Sequence, residues 1–325
     1  PAKATGLPRT INNRPCGERA QRTLDFRPAA PHQGPMPLVL LTALALCFLA
    51  ANSLLTRAGV VDGTDPLAFA AIRVAAGAVV LAALAARRGI TVTGVRRWGA
   101  AIALVVYLLG FSLAYRTLDA GIGALILFAT VQIGLFALSL ARGERSGPVR
   151  LAGMGLALAG LVWLLLPGGT VRTDPMDAGL MIVAGLAWAA YSFAGKFEPR
   201  PLAGSAGNFL IATALFALAA PMWWGAAVTP FGAAMAALSG GIASGIGYAM
   251  LFRVLPQMGV ATAGVAQLIV PVIATLAGAI LLGEVPGARA LAAGGLVLAG
   301  IGLATIRTGA KSTGSRYSCK GSRGS

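Results

Sequence analysis

Apolar residues in this chain come in runs of about 20, the length an α-helix needs to cross roughly 30 Å of hydrocarbon. Ten runs are read, at approximately 37–56, 66–86, 98–115, 120–140, 149–167, 176–195, 206–225, 231–251, 259–282 and 287–306. The breaks between them have a chemical basis. Asp62, Gly63, Asp65 and Pro66 part the first pair, RRGITVTGVRR parts the second from the third, and Pro167-Gly168-Gly169 ends the fifth. Pro199 and Pro201 mark the loop between the sixth and seventh. Backbone groups in lipid must bond within the segment, which dictates helices, and the short alternating strands of a barrel are not seen. The expected fold class is an all-α polytopic membrane protein with ten transmembrane helices.

The pattern repeats. Gly143-Glu144 returns as Gly283-Glu284, and Gly155-Leu156 with Ala159-Gly160 returns as Gly295-Leu296 with Ala299-Gly300, an offset of 140 residues in each case. Each copy sets two long apolar segments around a short Gly-Glu hinge. Ten spans in two copies make five per copy, and an odd number forces the second copy to enter the membrane from the opposite side. The expected organisation is therefore a first five-helix repeat at 37–168 and an inverted second one at 175–307. The flanking segments 1–35 and 308–325 read as disordered basic tails. The first is Pro/Arg-rich and lacks apolar periodicity, and natural initiation is expected at Met36.

Composition agrees with lipid as the solvent: 57% of residues are hydrophobic and 11% charged, against about 25% charged in soluble domains. The net charge of +16 raises nucleic acid as a partner, but its distribution argues against one. With the N-terminus in the cytoplasm, 21 Lys and Arg fall inside and 4 outside (Arg57, Arg116, Arg172 and Arg289), with Arg73 alone within a span. Asp62, Asp65, Asp119, Asp174 and Asp177 all fall outside. That is the positive-inside bias, and it places both termini in the cytoplasm. Cys16, Cys47 and Cys319 have no metal or disulfide spacing, and His32 is the one histidine. No cofactor and no metal are expected. An intramembrane enzyme would need a nucleophile–base pair or a metal cluster at membrane depth, and neither is found.

Inverted repeats of this kind recur in secondary transporters, with substrate held near the midplane between them. The order and spacing of several strings resemble the drug/metabolite transporter superfamily, specifically its EamA-type ten-helix members. These are AAIRVAAGAVVL around Arg73, DAGIGALILFATVQ at 119–132, GLAWAAYS at 185–192, GNF at 207–209, SGGIASGIGYAM at 239–250 and AQLIVPVIA at 266–274, with the paired Gly-Glu hinges. The resemblance covers about 37–307 and implies two inverted five-helix halves that move small organic solutes. It departs from the family where the fourth helix has Val131-Gln132 opposite Val270-Pro271 of the ninth, so any hinge there is asymmetric.

The candidate site residues carry two readings each. Gln132 shares a helical face with Leu125, Phe128 and Ser139, and Gln267 with Gly264, Pro271, Thr275 and Gly278. A side-chain amide in hydrocarbon needs partners, so both contact substrate or join helices. Pro271 is a hinge that frees a carbonyl near Gln267, or a structural bend. Trp188 and Tyr191 on the sixth helix, Tyr107 on the third, Tyr248 beside Ser244 on the eighth, Asn52 and Asn208 either wall an aromatic cavity or pack as core. Arg73 either snorkels outward or pairs with Asp62 or Asp65, or else meets an anionic group of the substrate, such as a carboxylate. Glu144 and Glu284 follow span ends and precede the next helix closely, so each is expected to cap that helix. The glycines of the fifth and tenth helices are expected to allow close packing, and Gly240, Gly241, Gly245 and Gly247 to permit flexing.

The expected function is a secondary transporter that moves an amino-acid-like or other small metabolite across the inner membrane by alternating access, in the export direction. The alternatives are a membrane structural or assembly protein, or a channel. Expected partners are the solute and the lipid bilayer, with the protein a monomer or homodimer.

Overall fold

The computed structural model describes residues 38–143, 146–166, 174–195, 197–254, 266–267 and 269–305. Helices follow in the order α1 (Leu38–Val61), α2 (Pro66–Ala85), α3 (Val95–Ala114), α4 (Ala120–Ala141) and α5 (Pro148–Leu165). Then come α6 (Pro175–Gly195), α7 (Pro201–Leu218), α8 (from Pro230 to Val254), α9 (Ile269–Leu281) and α10 (Ala288–Thr305). Among the described residues nine helices are long and apolar enough to cross a membrane, and α9 is a shorter apolar tenth. No strand occurs among them.

Helix starts follow local chemistry. Pro66, Pro148, Pro201 and Pro230 occupy the first turns of α2, α5, α7 and α8, where the missing N–H breaks no bond. Pro201 sets the start of α7 five residues before the expected 206, because the loop prolines belong to the helix entrance. Asp65 caps α2 by accepting the Leu67 amide at 2.8 Å and the Ala68 amide at 3.1 Å. Gly143 and Gly283, the repeat-related glycines, both take left-handed conformations (φ 80° and 70°) just past α4 and α9, the conformation that stops a helix cheaply only at glycine.

The principal helix pairs are α5–α10, α3–α6, α1–α8, α4–α6, α1–α9, α2–α7, α2–α8, α3–α7 and α4–α9. Exchanging each number with the one five away returns the same set. The α5–α10 pair packs backbone against backbone, as its glycines lead one to expect. A Cβ on Gly153 would meet the Gly300 carbonyl at 2.6 Å, and one on Gly300 would strike the Ala157 amide. Gly155, Gly295 and Gly302 face the other way, with nothing within 4 Å.

The middle of α8 departs from an α-helix. Ser239–Ile246 is a π-helical stretch, between α-helical Pro230–Leu238 and Gly247–Val254. π-Turns arise where one extra residue is fitted into a helix, and they cluster at functional sites. Here the glycine-dense segment rests on α2: a Cβ on Gly240 would overlap the Arg73 carbonyl.

Candidate substrate site

Arg73, in the middle of α2, has 0% exposure. Its Nη2 donates to the Tyr107 hydroxyl at 3.0 Å and to Ser244 Oγ at 3.4 Å. Ser244 Oγ then donates to Asn52 Oδ1 at 3.2 Å, and the same oxygen accepts Ser239 Oγ at 2.8 Å. The guanidinium carbon lies 4.8 Å from the centre of the Phe111 ring and 5.5 Å from that of Tyr107. Nε and Nη1 are buried without a hydrogen-bond partner among the described residues, and no described carboxylate is within ion-pair distance. The outward reading of Arg73 is therefore overturned. Asp65 is occupied in capping α2, Asp62 accepts the Thr229 hydroxyl, and the π-stretch of α8 covers Arg73.

From Tyr107 the aromatic side chains continue inward. Tyr107 lies 4.7 Å from Trp188, which lies 5.3 Å from Tyr191 and 5.2 Å from Tyr248. Tyr248 reaches Phe209 of α7 at 6.0 Å. Asn52, Arg73, Tyr107, Trp188, Tyr191 and Tyr248 thus form one connected cluster fed by α1, α2, α3, α6 and α8. The expected cavity among them is closed in this structure: facing rings interlock, and Tyr107, Trp188, Tyr191 and Tyr248 are all buried.

Open space lies instead toward the two ends. A cavity of about 160 Å³ opens at the end bearing the α2–α3 and α6–α7 loops, lined by Arg97, Tyr191, Glu198, Ser205 and Asn208 among others. Arg97 Nη2 pairs with Glu198 Oε2 at 2.9 Å, and its Nη1 donates to the Gly204 carbonyl at 2.7 Å and to Asn208 Oδ1 at 3.3 Å. Asn208 therefore belongs to the Arg97 group, and Tyr191 links that group to the Arg73 cluster. A second cavity of about 180 Å³ lies between α4, α9 and α10, with Pro271 and Thr275 in its wall and Asp119 and Glu284 at its rim. Pro271 occupies the first turn of α9, and its carbonyl accepts the Thr275 hydroxyl at 2.8 Å. Gln132 and Gln267 are half-buried and line neither cavity.

Glu284 corrects the capping expectation. It caps α4, not the helix that follows it: Oε2 accepts the Ala120 amide at 2.7 Å and Oε1 pairs with Arg57 Nε at 2.7 Å. The tight turn at Gly283 points the carboxylate across the bundle, and Arg57 at the end of α1 holds it there. Arg57 also donates to the carbonyls of Tyr115 and Arg116, both at 2.9 Å. Asp119 lies 3.7 Å from Arg57, and its carboxyl is held above the ordinary carboxylate pKa of 3.8, first by burial and then by Glu284, against the pull of Arg57. Glu144 lies outside the described residues. Sequence reasoning did not find these ion pairs, nor Arg116–Asp177 at 2.8 Å. The charge count already set Arg57, Arg116, Asp119 and Asp177 at one end, which was the available signal.

Helices long and apolar enough to cross a membrane, packed around a buried arginine, mark a multi-pass membrane protein. Residues 177–306 match the EamA-like transporter family. An uncharacterized protein of Pseudomonas aeruginosa is 45% identical over 269 residues, covering 82% of this chain and 93% of that protein. The threonine/homoserine exporter RhtA of Salmonella typhimurium is 30% identical over 203 residues, 59% of this chain and 65% of the exporter. The uncharacterized inner membrane transporter YedA of Escherichia coli is 27% identical over 199 residues, 59% of this chain and 62% of its own. A protein of known crystal structure shares the fold, with a TM-score of 0.60 at 23% identity, covering 82% of this chain and 96% of its own. The chain belongs to the EamA-like transporter family and is a multi-pass inner-membrane protein.

Proposed function

We propose that this protein exports an amino-acid-like solute by alternating access between two inverted five-helix repeats, with both termini in the cytoplasm. The observation that carries the reading is Arg73. A guanidinium buried among helices, with two nitrogens unpartnered and no acid within reach among the described residues, is costly unless an anion joins it. A carboxylate supplies that anion and matches the fork of the guanidinium. The rings of Tyr107, Trp188 and Tyr248 offer π-faces to an ammonium group beside it. The similarity to a threonine/homoserine exporter favours the same chemistry.

Alternating access is supported by helix pairs that are unchanged on exchange of the halves. The test is counterflow in proteoliposomes preloaded with unlabelled amino acids, following uptake of labelled L-threonine. Saturable exchange that is lost in Arg73→Gln is expected. Non-saturating flux would indicate a channel, and no exchange with any amino acid would overturn the substrate class.

A further inference from the structure

We propose that the cavity around Arg97 is a second binding site, in which a zwitterionic α-amino acid is held before it reaches Arg73. This rests on the amino-acid reading above and adds a site to it. The cavity of about 160 Å³ is open at the end that carries Arg96 and Arg97, and its size suits a small amino acid.

Its lining presents both signs of charge. Arg97 and Glu198 lie 2.9 Å apart, their side chains 11% and 22% exposed. Arg97 is held by Gly204, Asn208, Thr91 and Glu198, yet its Nε is buried without a partner among the described residues. Ser205, Asn208 and Tyr191 stand in the same wall. These are hydrogen-bond donors that a carboxylate satisfies, and Glu198 supplies a partner for an ammonium. An incoming zwitterion bonds across the Arg97–Glu198 pair, exchanging one internal ion pair for two with the ligand.

The position of Tyr191 makes this an intake site rather than an isolated pocket. Tyr191 lines the cavity, and its ring stacks 5.3 Å from Trp188, whose other neighbours are Tyr107 and Tyr248. Through Tyr191 the aromatic cluster that closes over Arg73 therefore reaches the wall of the Arg97 cavity. A solute lodged there presses on the ring pair that must part for it to move inward.

The experiment pairs equilibrium binding of labelled L-threonine to the purified full-length protein with counterflow, in the wild type, Arg97→Gln, Glu198→Gln and Arg73→Gln. Binding is expected to weaken about tenfold or more in Arg97→Gln and Glu198→Gln. Arg73→Gln is expected to lose flux and its own share of binding, while keeping the saturable component that Arg97→Gln and Glu198→Gln remove. The amino alcohol and the hydroxy acid related to threonine, each lacking one charge, should compete poorly. Full binding in Arg97→Gln and Glu198→Gln overturns the second site while leaving the Arg73 reading intact. Absence of threonine binding and of exchange in the folded wild type overturns both.

Discussion

Glu284 bonds to two elements at once: one carboxylate oxygen holds the Arg57 guanidinium at 2.7 Å, and the other accepts the first amide of α4 at Ala120, also at 2.7 Å. The three elements so joined are the end of α1, the α9–α10 loop and the start of α4. The pair is only 15% and 12% exposed, so its loss leaves a half-buried charge and an unsatisfied helix start. Glu284→Ala is expected to lower stability by about 3 kcal/mol, and Glu284→Gln by less because the amide oxygen can still accept from Ala120. Thermal unfolding in detergent, with Glu284→Asp as a further comparison, checks the order.

Arg73 separates stability from activity. Replacing a buried charge that lacks an acidic partner with an apolar side chain of similar volume is neutral or stabilising. Arg73→Met is therefore expected to unfold at the wild-type temperature or above it, while counterflow falls about 100-fold, corresponding to about 2.7 kcal/mol of lost interaction. A fall in both would mark Arg73 as a packing residue.

Trp188 touches Tyr107, Tyr191 and Tyr248. Trp188→Ala opens the closed centre, and flux is expected to drop with expression intact. Gln267→Ala is expected to weaken transport similarly. Uptake unchanged in both variants would remove them from the solute path.

Asp119 gives a pH signature. Its carboxyl titrates above 3.8 in the folded protein, so the folded state binds a proton more tightly than the unfolded state does. Stability from this group is full at pH values below 3.8 and is lost as the pH rises through the raised folded value. Asp119→Asn should flatten the dependence of melting temperature on pH in that window and raise it at neutral pH.

The glycines of α5 and α10 predict opposite outcomes two residues apart. Gly153 has the α10 backbone where a Cβ would stand, and Gly155 has open space. Gly153→Ala is expected to cost about 2 kcal/mol or more through overpacking, whereas Gly155→Ala should stabilise by about 0.5–1 kcal/mol. Paired melting curves decide it.

The bundle was legible because lipid imposes length and polarity on each segment, and because Gly143 and Gly283 recur at a fixed offset. The members of the Arg73 cluster were legible as polar or aromatic residues inside apolar runs. Their arrangement was not. Whether Arg73 turns to Asp65 or to Tyr107 depends on which helix covers α2, and one sequence does not record that. Asn208 and Arg97 were separated for the same reason: they lie on different helices, and only packing brings their side chains to 3.3 Å. The reach of Glu284 to Ala120, 164 residues earlier in the chain, is likewise a tertiary fact.

The π-stretch of α8 holds Ser239 and Ser244 on Asn52 and Tyr248 beside Trp188. Deleting one residue there, for example Gly241, should fix an α register, and flux is expected to disappear from the counterflow assay. Passing the extra residue along the helix turns whatever it passes by about 100° and slides it by about 1.5 Å. Such a helix moves as a bolt does, by rotation and small advance together. Withdrawn by one step, it would take its serine away from the arginine and its tyrosine away from Trp188, and leave the ends of the helix where they were.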